Sequence, residues 1–195
     1  MTLKNKFNLE NWIGIHTLIY GETYTQKTYL TAKFVDYLIE IRNIKPKEIS
    51  ILDFAPEMIF IDNLKIGGKI ADFSDYSSKC RIIESNGEII APRLKACNKR
   101  ELYENICHNY KITSKSLKIF NENPTKLLIM NDISIYLHLG DKNYLLNTIQ
   151  KVNTFLGNSY YGSTIKTGFG CLLSLKEKKR VEFLIKNLDN SILTG

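Results

Sequence analysis

The chain is predicted to fold as an α/β protein built on a mainly parallel sheet. Three observations carry that expectation. Residues 13–20 form a short apolar, β-branched run that stops at Gly21 and reads as a buried strand. Over 28–41 the apolar positions Leu30, Phe34, Val35, Leu38, Ile39 and Ile41 recur at helical spacing. Beyond Pro46, residues 49–54 read as a second strand. Strand, glycine turn, helix, strand is a βαβ unit, which implies parallel strands joined by a right-handed crossover.

The remaining elements follow in order. Ile66, Gly67, Gly68 and Lys69 read as a loop. Residues 81–84 and 88–94 flank Asn86-Gly87, a type I′ turn signal, and predict a hairpin. Asn98 with Glu101 predicts a capped helix carrying Leu102, Ile106 and Tyr110 to about Phe120, closed by Asn123-Pro124. Residues 126–130 read as a third strand leading into Asn131-Asp132, and 133–139 either extend it or begin a new element. Asp141 is placed to cap a helix that carries Tyr144, Leu145, Ile149, Val152 and Leu156, with Gly157 as its stop. Tyr160, Tyr161 and Gly162 open a loop or short strand. Ser174 and Glu177 have the spacing of a capping box before a last helix over 175–188. No repeat, low-complexity tract or interdomain linker interrupts the pattern, so a single domain is expected over 1–195.

Composition narrows the class. Apolar residues make up 44% and charged residues 24%, which excludes wholesale disorder. The formal charge of +7 permits a nucleic-acid partner, but the lysines are scattered. The tightest basic run, 176–180, reads as the exposed face of a late helix. The four cysteines form no Cys-x-x-Cys pair, and no histidine stands at a zinc-like spacing, so free thiols are expected. The first residues hold no apolar core and no run reaches the ~20 residues that span a bilayer. A cytoplasmic protein without membrane contact is therefore expected.

The chemistry is concentrated at Gly21, Glu22, Thr23, Tyr24, Thr25, Gln26, Lys27 and Thr28. The spacing is that of Gly-x-x-x-x-Gly-Lys-Ser/Thr, the phosphate-binding loop, with Gln26 where the pattern has its second glycine. Spacing matters because a phosphate sits on a helix N-terminus, where unpaired N–H groups and the helix dipole favour negative charge. Gly21 lets the chain leave the strand sharply, Lys27 reaches the β- and γ-phosphates, and Thr28 offers a hydroxyl to Mg²⁺. Gln26 fits such a loop if its φ is negative, as at a helix start. The bland alternative is a strand, turn and helix bearing a surface lysine. Asp53, closing the second strand, suits a role in holding Mg²⁺ through its hydration shell, or else caps a turn. Glu57 follows in Asp-Phe-Ala-Pro-Glu and is placed to polarise a water or a substrate hydroxyl, or is a solvated loop residue. Asn131 and Asp132 end the third strand, where ligands meet parallel sheets, and are candidates to sense a γ-phosphate or bind substrate. Arg93 is a candidate phosphate neutraliser, with an ordinary surface arginine as the alternative, and Lys69 after two glycines is a candidate to close over a substrate. His16 reads as a core histidine, and His108 and His138 share no evident constellation with a carboxylate or cysteine.

Over residues 13–57 this pattern resembles the P-loop NTPase superfamily. Looser features, at Gly67-Gly68-Lys69, Ala91-Pro92-Arg93-Leu94, Asn131-Asp132 and residues 158–162, are similar to small archaeal P-loop proteins of poorly defined function. The resemblance implies a three-layer α/β/α sandwich, ATP or GTP as ligand, and Mg²⁺. The expected function is NTP hydrolysis or phosphoryl transfer to a small-molecule or protein acceptor. The absence of an Asn-Lys-x-Asp signature favours ATP. A regulatory protein that binds nucleotide with little turnover, and a basic nucleic-acid-binding module, are the alternatives.

Overall fold

The computed structural model describes residues 7–61, 64–84, 86–163 and 171–195, with 59–61, 64–66 and 171 described by their backbone only. The elements in chain order are β1 (His16–Gly21), α1 (Lys27–Glu40), β2 (Ile49–Asp53), β3 (Ile59–Ile61), β4 (Leu64–Ile66), β5 (Arg81–Ile82), α2 (Pro92–Lys95), α3 (Lys99–Glu122), β6 (Leu127–Asn131), α4 (Ile133–Leu137), α5 (Lys142–Ile149), β7 (Thr154–Tyr160), α6 (Cys171–Asn187) and β8 (Asn190–Thr194). Six strands make one sheet in the order β5-β2-β6-β7-β1-β8. Every pairing in it is parallel. β3 and β4 form a separate antiparallel pair.

The sheet is covered on both faces, giving the three-layer α/β/α sandwich. Pleating sends neighbouring residues to opposite sides. Leu18, Leu52, Leu128 and Phe155 meet Leu117 and Phe120 of α3, Ile133 of α4, Leu145 and Ile149 of α5, and Val181 and Leu184 of α6. Their neighbours Ile19, Ile51, Ile129 and Leu156 meet Leu30, Phe34, Val35 and Leu38 of α1, with Trp12 beyond them. Strands buried on both faces read as continuous apolar runs, which is why periodicity alone does not fix their type.

β1 and β2 are consecutive, yet β6 and β7 lie between them. The crossover through α1 therefore spans two strands, and Asp53 neighbours Asn131, not the loop strand. Four other expectations change. The hairpin around Asn86-Gly87 does not form: β5 pairs in parallel with β2, and Ile83 N–H donates to Ile51 O at 2.9 Å. The backbone of Ile90 is satisfied instead by a side chain, Asn109, which accepts from its N–H (2.9 Å) and donates to its carbonyl (2.7 Å). The helix begun by Asp141 stops at Ile149, and Val152 to Leu156 lead into and along β7. Gly157 is thus a strand residue, and a Cβ there would stand 2.5 Å from Ile133 Cδ1 of α4, so that side chain would have to shift. Ser174 lies inside α6, which begins before it, so Glu177 is no cap; its carboxylate turns inward. β8 was not anticipated at all.

Candidate functional site

In a parallel sheet all strands point the same way, so the ends of β1, β2, β6 and β7 share one rim, where ligands of open α/β sheets bind. The predicted loop joins β1 to α1 at that rim. Gly21 has φ +153°, and a Cβ there would stand 2.1 Å from Thr194 O and 2.8 Å from Thr194 Oγ1. The edge strand β8 thus packs where a side chain would be. Thr25 Oγ1 donates to Glu22 O (2.8 Å) and lies 2.7 Å from Thr194 Oγ1, tying the loop to the same strand. The Glu22 carboxylate accepts from Ser163 N–H and closes the loop against the segment after β7. Thr23 is half-buried and Tyr24 exposed at the crest.

Gln26 departs from expectation. Its φ is +63° and Tyr24 has φ +69°, both left-handed. The chain must reverse immediately before α1, and that reversal sets the sign of φ whatever residue is present. Left-handed residues in such a turn aim successive N–H groups to one side and form an anion-binding concavity. The geometry glycine favours at this position is therefore present, at a strain cost of about 1–2 kcal/mol for a residue with a Cβ. The Gln26 side chain is exposed and makes no capping hydrogen bond, and the first turn of α1 holds no acidic residue. Its leading N–H groups are left available to an anion. We expect Gln26→Gly to raise stability by roughly 0.5–1 kcal/mol, since strain relief exceeds the entropy glycine adds to the unfolded chain. Urea unfolding of both proteins checks this. An unchanged or lower midpoint would mean that the glutamine is at ease there.

Lys27 turns back over its own loop. Its ammonium donates to Glu22 O and to Thr25 Oγ1 (3.3 Å). Burial lowers its pKa to about 8, opposed by the carboxylates of Asp132 and Glu22. The surface-lysine alternative does not describe this side chain.

Thr28, Asp53 and Asn131 come together through one amide. Asn131 is fully buried and uses its whole hydrogen-bonding capacity. Its Nδ2 donates to Asp53 Oδ1 (2.8 Å) and Gly68 O (3.0 Å), while its Oδ1 accepts from Thr28 Oγ1 (3.2 Å) and Asn158 Nδ2 (2.8 Å). Asp53 also accepts from Ile70 N–H (2.7 Å) and Ala55 N–H (3.2 Å), so the loop of Gly67, Gly68 and Lys69 folds over it. Burial raises its carboxyl above the usual range, against these hydrogen bonds and the charge of Lys69.

Two more residues join this cluster: Asn158, which the sequence reading placed only among looser features, and Asp132, which it offered as a candidate beside Asn131. Asn158, on β7, donates to Thr31 Oγ1 (2.9 Å) as well as to Asn131, and accepts from Asp132 N–H (3.0 Å). An asparagine directly after the apolar Phe155-Leu156-Gly157 run was the available signal. Asp132 is left-handed (φ 50°, ψ 60°) at the start of α4, a strained conformation for a non-glycine residue. Its Oδ1 accepts from Ser134 Oγ at 2.5 Å. Burial raises its carboxyl, helped by Glu177 and opposed by Ser134, Lys27 and His138.

Other candidates lie elsewhere. Glu57 is exposed and lines a cleft of about 370 Å³ with Glu88, Ala91, Lys95 and Glu101. No bond among the described residues joins its carboxylate to Lys27, Thr28 or Asp53. Arg93 is buried, correcting the surface alternative, and pairs with Glu177. His138, read as isolated, has Nε2 3.3 Å from Glu177 Oε1. The 176–180 run divides: Lys176, Lys178 and Lys179 are exposed, Glu177 is buried, and Arg180 donates to His138 O at 2.9 Å. Cys80, Cys97 and Cys107 are free thiols, and Cys171 lies outside the described side chains. Among the described residues, no helix is long and apolar enough to cross a membrane.

Among the described residues no three His, Cys, Asp or Glu side chains form a metal cage. Mg²⁺ beside a nucleotide needs none, since phosphate oxygens and waters fill most of its octahedron. The Thr28 hydroxyl, joined through Asn131 to the Asp53 carboxylate, fits that mode. Compared with known proteins, the chain matches no family model and no curated protein.

Proposed function

We propose that the chain binds a nucleoside triphosphate with Mg²⁺ at the rim over Lys27, and hydrolyses it or transfers its terminal phosphoryl group. The observation that carries this reading is convergence. An uncapped helix N-terminus, a half-buried lysine held within its own loop, and a Thr28–Asn131–Asp53 relay meet at the C-terminal ends of parallel strands. Phosphoryl transfer depends mostly on positioning and charge, so a small set of groups suffices. The loop N–H groups and Lys27 hold the phosphates. Thr28 and Asp53 are the residues that would hold the metal. Mg²⁺ supplies charge neutralisation when bound. Asp132 lies within electrostatic range of Lys27, and its raised carboxyl suits acceptance of a proton from the attacking hydroxyl or water. ATP is preferred to GTP.

Calorimetry with Mg²⁺–ATP, Mg²⁺–GTP and the diphosphates, paired with a phosphate-release assay, tests the reading. A folded protein that binds none of them rejects it. Binding without release, and without transfer to an acceptor, selects the regulatory alternative instead. That alternative is favoured by the strained Gln26 and by Lys27 resting on Glu22 O.

We expect Asp53→Asn to lower Mg²⁺-dependent turnover by about tenfold or more, while Mg²⁺-free nucleotide affinity stays within about threefold. The carboxylate serves the metal and not the phosphates. Equal turnover at limiting Mg²⁺ would leave Asp53 a purely structural acceptor for Ile70 and Asn131.

A further inference from the structure

The most unusual chemistry outside the proposed phosphate loop is a buried charge cluster of Arg93, Glu177 and His138. Their exposures are 7%, 3% and 2%. Arg93 Nη2 donates to Glu177 Oε2. The cluster is underbonded: Arg93 Nε, both ring nitrogens of His138 and Glu177 Oε1 have no hydrogen-bond partner among the described residues. His138 Nε2, at 3.3 Å from Glu177 Oε1, is near enough for charge but out of line for a bond. A buried ion pair left incompletely bonded is costly, and each orphaned group calls for a reason.

Its position supplies one. The Arg93 guanidinium lies 5.7 Å over the ring of Tyr160, the residue in register with Gly21 at the mouth of the loop. Asp132 stands within electrostatic range of Lys27 and also of Glu177 and His138. The cluster therefore borders the rim where the terminal phosphate is proposed to sit.

We propose that Glu177 cages Arg93 in the unliganded protein, and that Arg93 exchanges Glu177 for the terminal phosphate of a bound triphosphate while His138 takes over Glu177. This rests on the nucleotide reading above and adds discrimination of triphosphate from diphosphate. Arg93 loses one carboxylate and gains an anion that engages its orphaned Nε. Glu177 keeps a partner throughout, because His138 needs only a small realignment to donate to Oε1. The three-membered cluster thus provides two pairings for one glutamate, and Arg93 is free to move without stranding a buried charge.

The test measures the affinity ratio of Mg²⁺–ATP to Mg²⁺–ADP by calorimetry on the full chain. Glu177→Gln opens the cage, and the ratio is expected to rise at least threefold. Arg93→Met combined with Glu177→Met removes both charges together, which a buried site tolerates better than losing one. This double variant is expected to keep ADP affinity and to lose the preference for ATP by tenfold or more. An unchanged ratio in the folded double variant overturns the assignment of Arg93 and leaves the nucleotide reading standing. A parent protein that binds neither nucleotide overturns both.

Discussion

Replacing Lys27 with methionine is expected to weaken Mg²⁺–ATP binding by about 100-fold or more while making the unliganded protein more stable. The two effects have one cause. Methionine keeps most of the aliphatic stem and removes the ammonium. A charge-assisted bond to phosphate contributes about 1.5–3 kcal/mol, and more than one phosphate oxygen lies within a lysine's reach, so a loss of about 3 kcal/mol is expected. In the unliganded protein the same ammonium is a liability. Burial lowers its pKa from 10.5 to about 8, so the folded state binds that proton less tightly than the unfolded chain. Stability then rises with pH between about 8 and 10.5, and the full penalty stands below 8. That penalty is roughly 2–3 kcal/mol, of which methionine recovers most at neutral pH and nothing above about 10.5. Calorimetry and urea unfolding at pH 7 and pH 10.5 check the pair of outcomes. Unchanged ATP affinity in a folded variant would remove Lys27 from the site. A variant less stable than the parent at pH 7 would mean that the contacts to Glu22 O and Thr25 outweigh the cost of burial.

Gly21→Ala carries the largest expected structural effect. The new Cβ would fall 2.1 Å from the carbonyl oxygen of Thr194, a backbone atom that cannot swing aside. Either β8 leaves the sheet or β1 shifts and takes the loop with it. Overpacking of this kind, with a positive φ, is expected to cost about 3 kcal/mol, or about 10 °C in the unfolding midpoint for a chain of this size. A double-mutant cycle identifies the cause. In the parent, removing residues 190–195 costs the full docking of β8. In Gly21→Ala, the same truncation is expected to cost little more, because β8 has already detached. Additive losses would place the strain within the loop.

Much of the fold was legible because its signals were local. The β1, α1, β2 unit follows from an apolar run, a helical stripe and two punctuating residues, and the α3 cap from Asn98 and Glu101, whose N–H donates to Asn98 Oδ1 at 3.0 Å. What failed depended on distant partners. β7 looked like the tail of a helix because a strand buried on both faces has no alternation, and its glycine answers to Ile133 and not to a helix end. Glu177 has capping-box spacing, but Arg93 and His138 decided its orientation, from 84 residues away in one case. Within the candidate site, the placing of Lys27 and Thr28 at the sheet rim follows from spacing. The part played by Asn131 was visible only in outline, and Asn158 joins it through a contact across strands that no spacing rule encodes. The sign of φ at Gln26 followed from the turn the chain must make, and not from the residue that makes it.

The order of strands also has a consequence for synthesis. β1 precedes both of its sheet neighbours in the chain, which are residues 154–160 and 190–194. An apolar strand thus waits while more than a hundred residues are added before either edge is paired. Such distant closure is slow, and it leaves sticky backbone exposed on the nascent chain. The loop at Gly21 shares that delay, because Thr194 and Tyr160 form its walls. During translation the early segment is therefore expected to need shielding by chaperones. Deletions near residue 190 are expected to lower the yield of folded protein far more than loss of five surface residues would suggest.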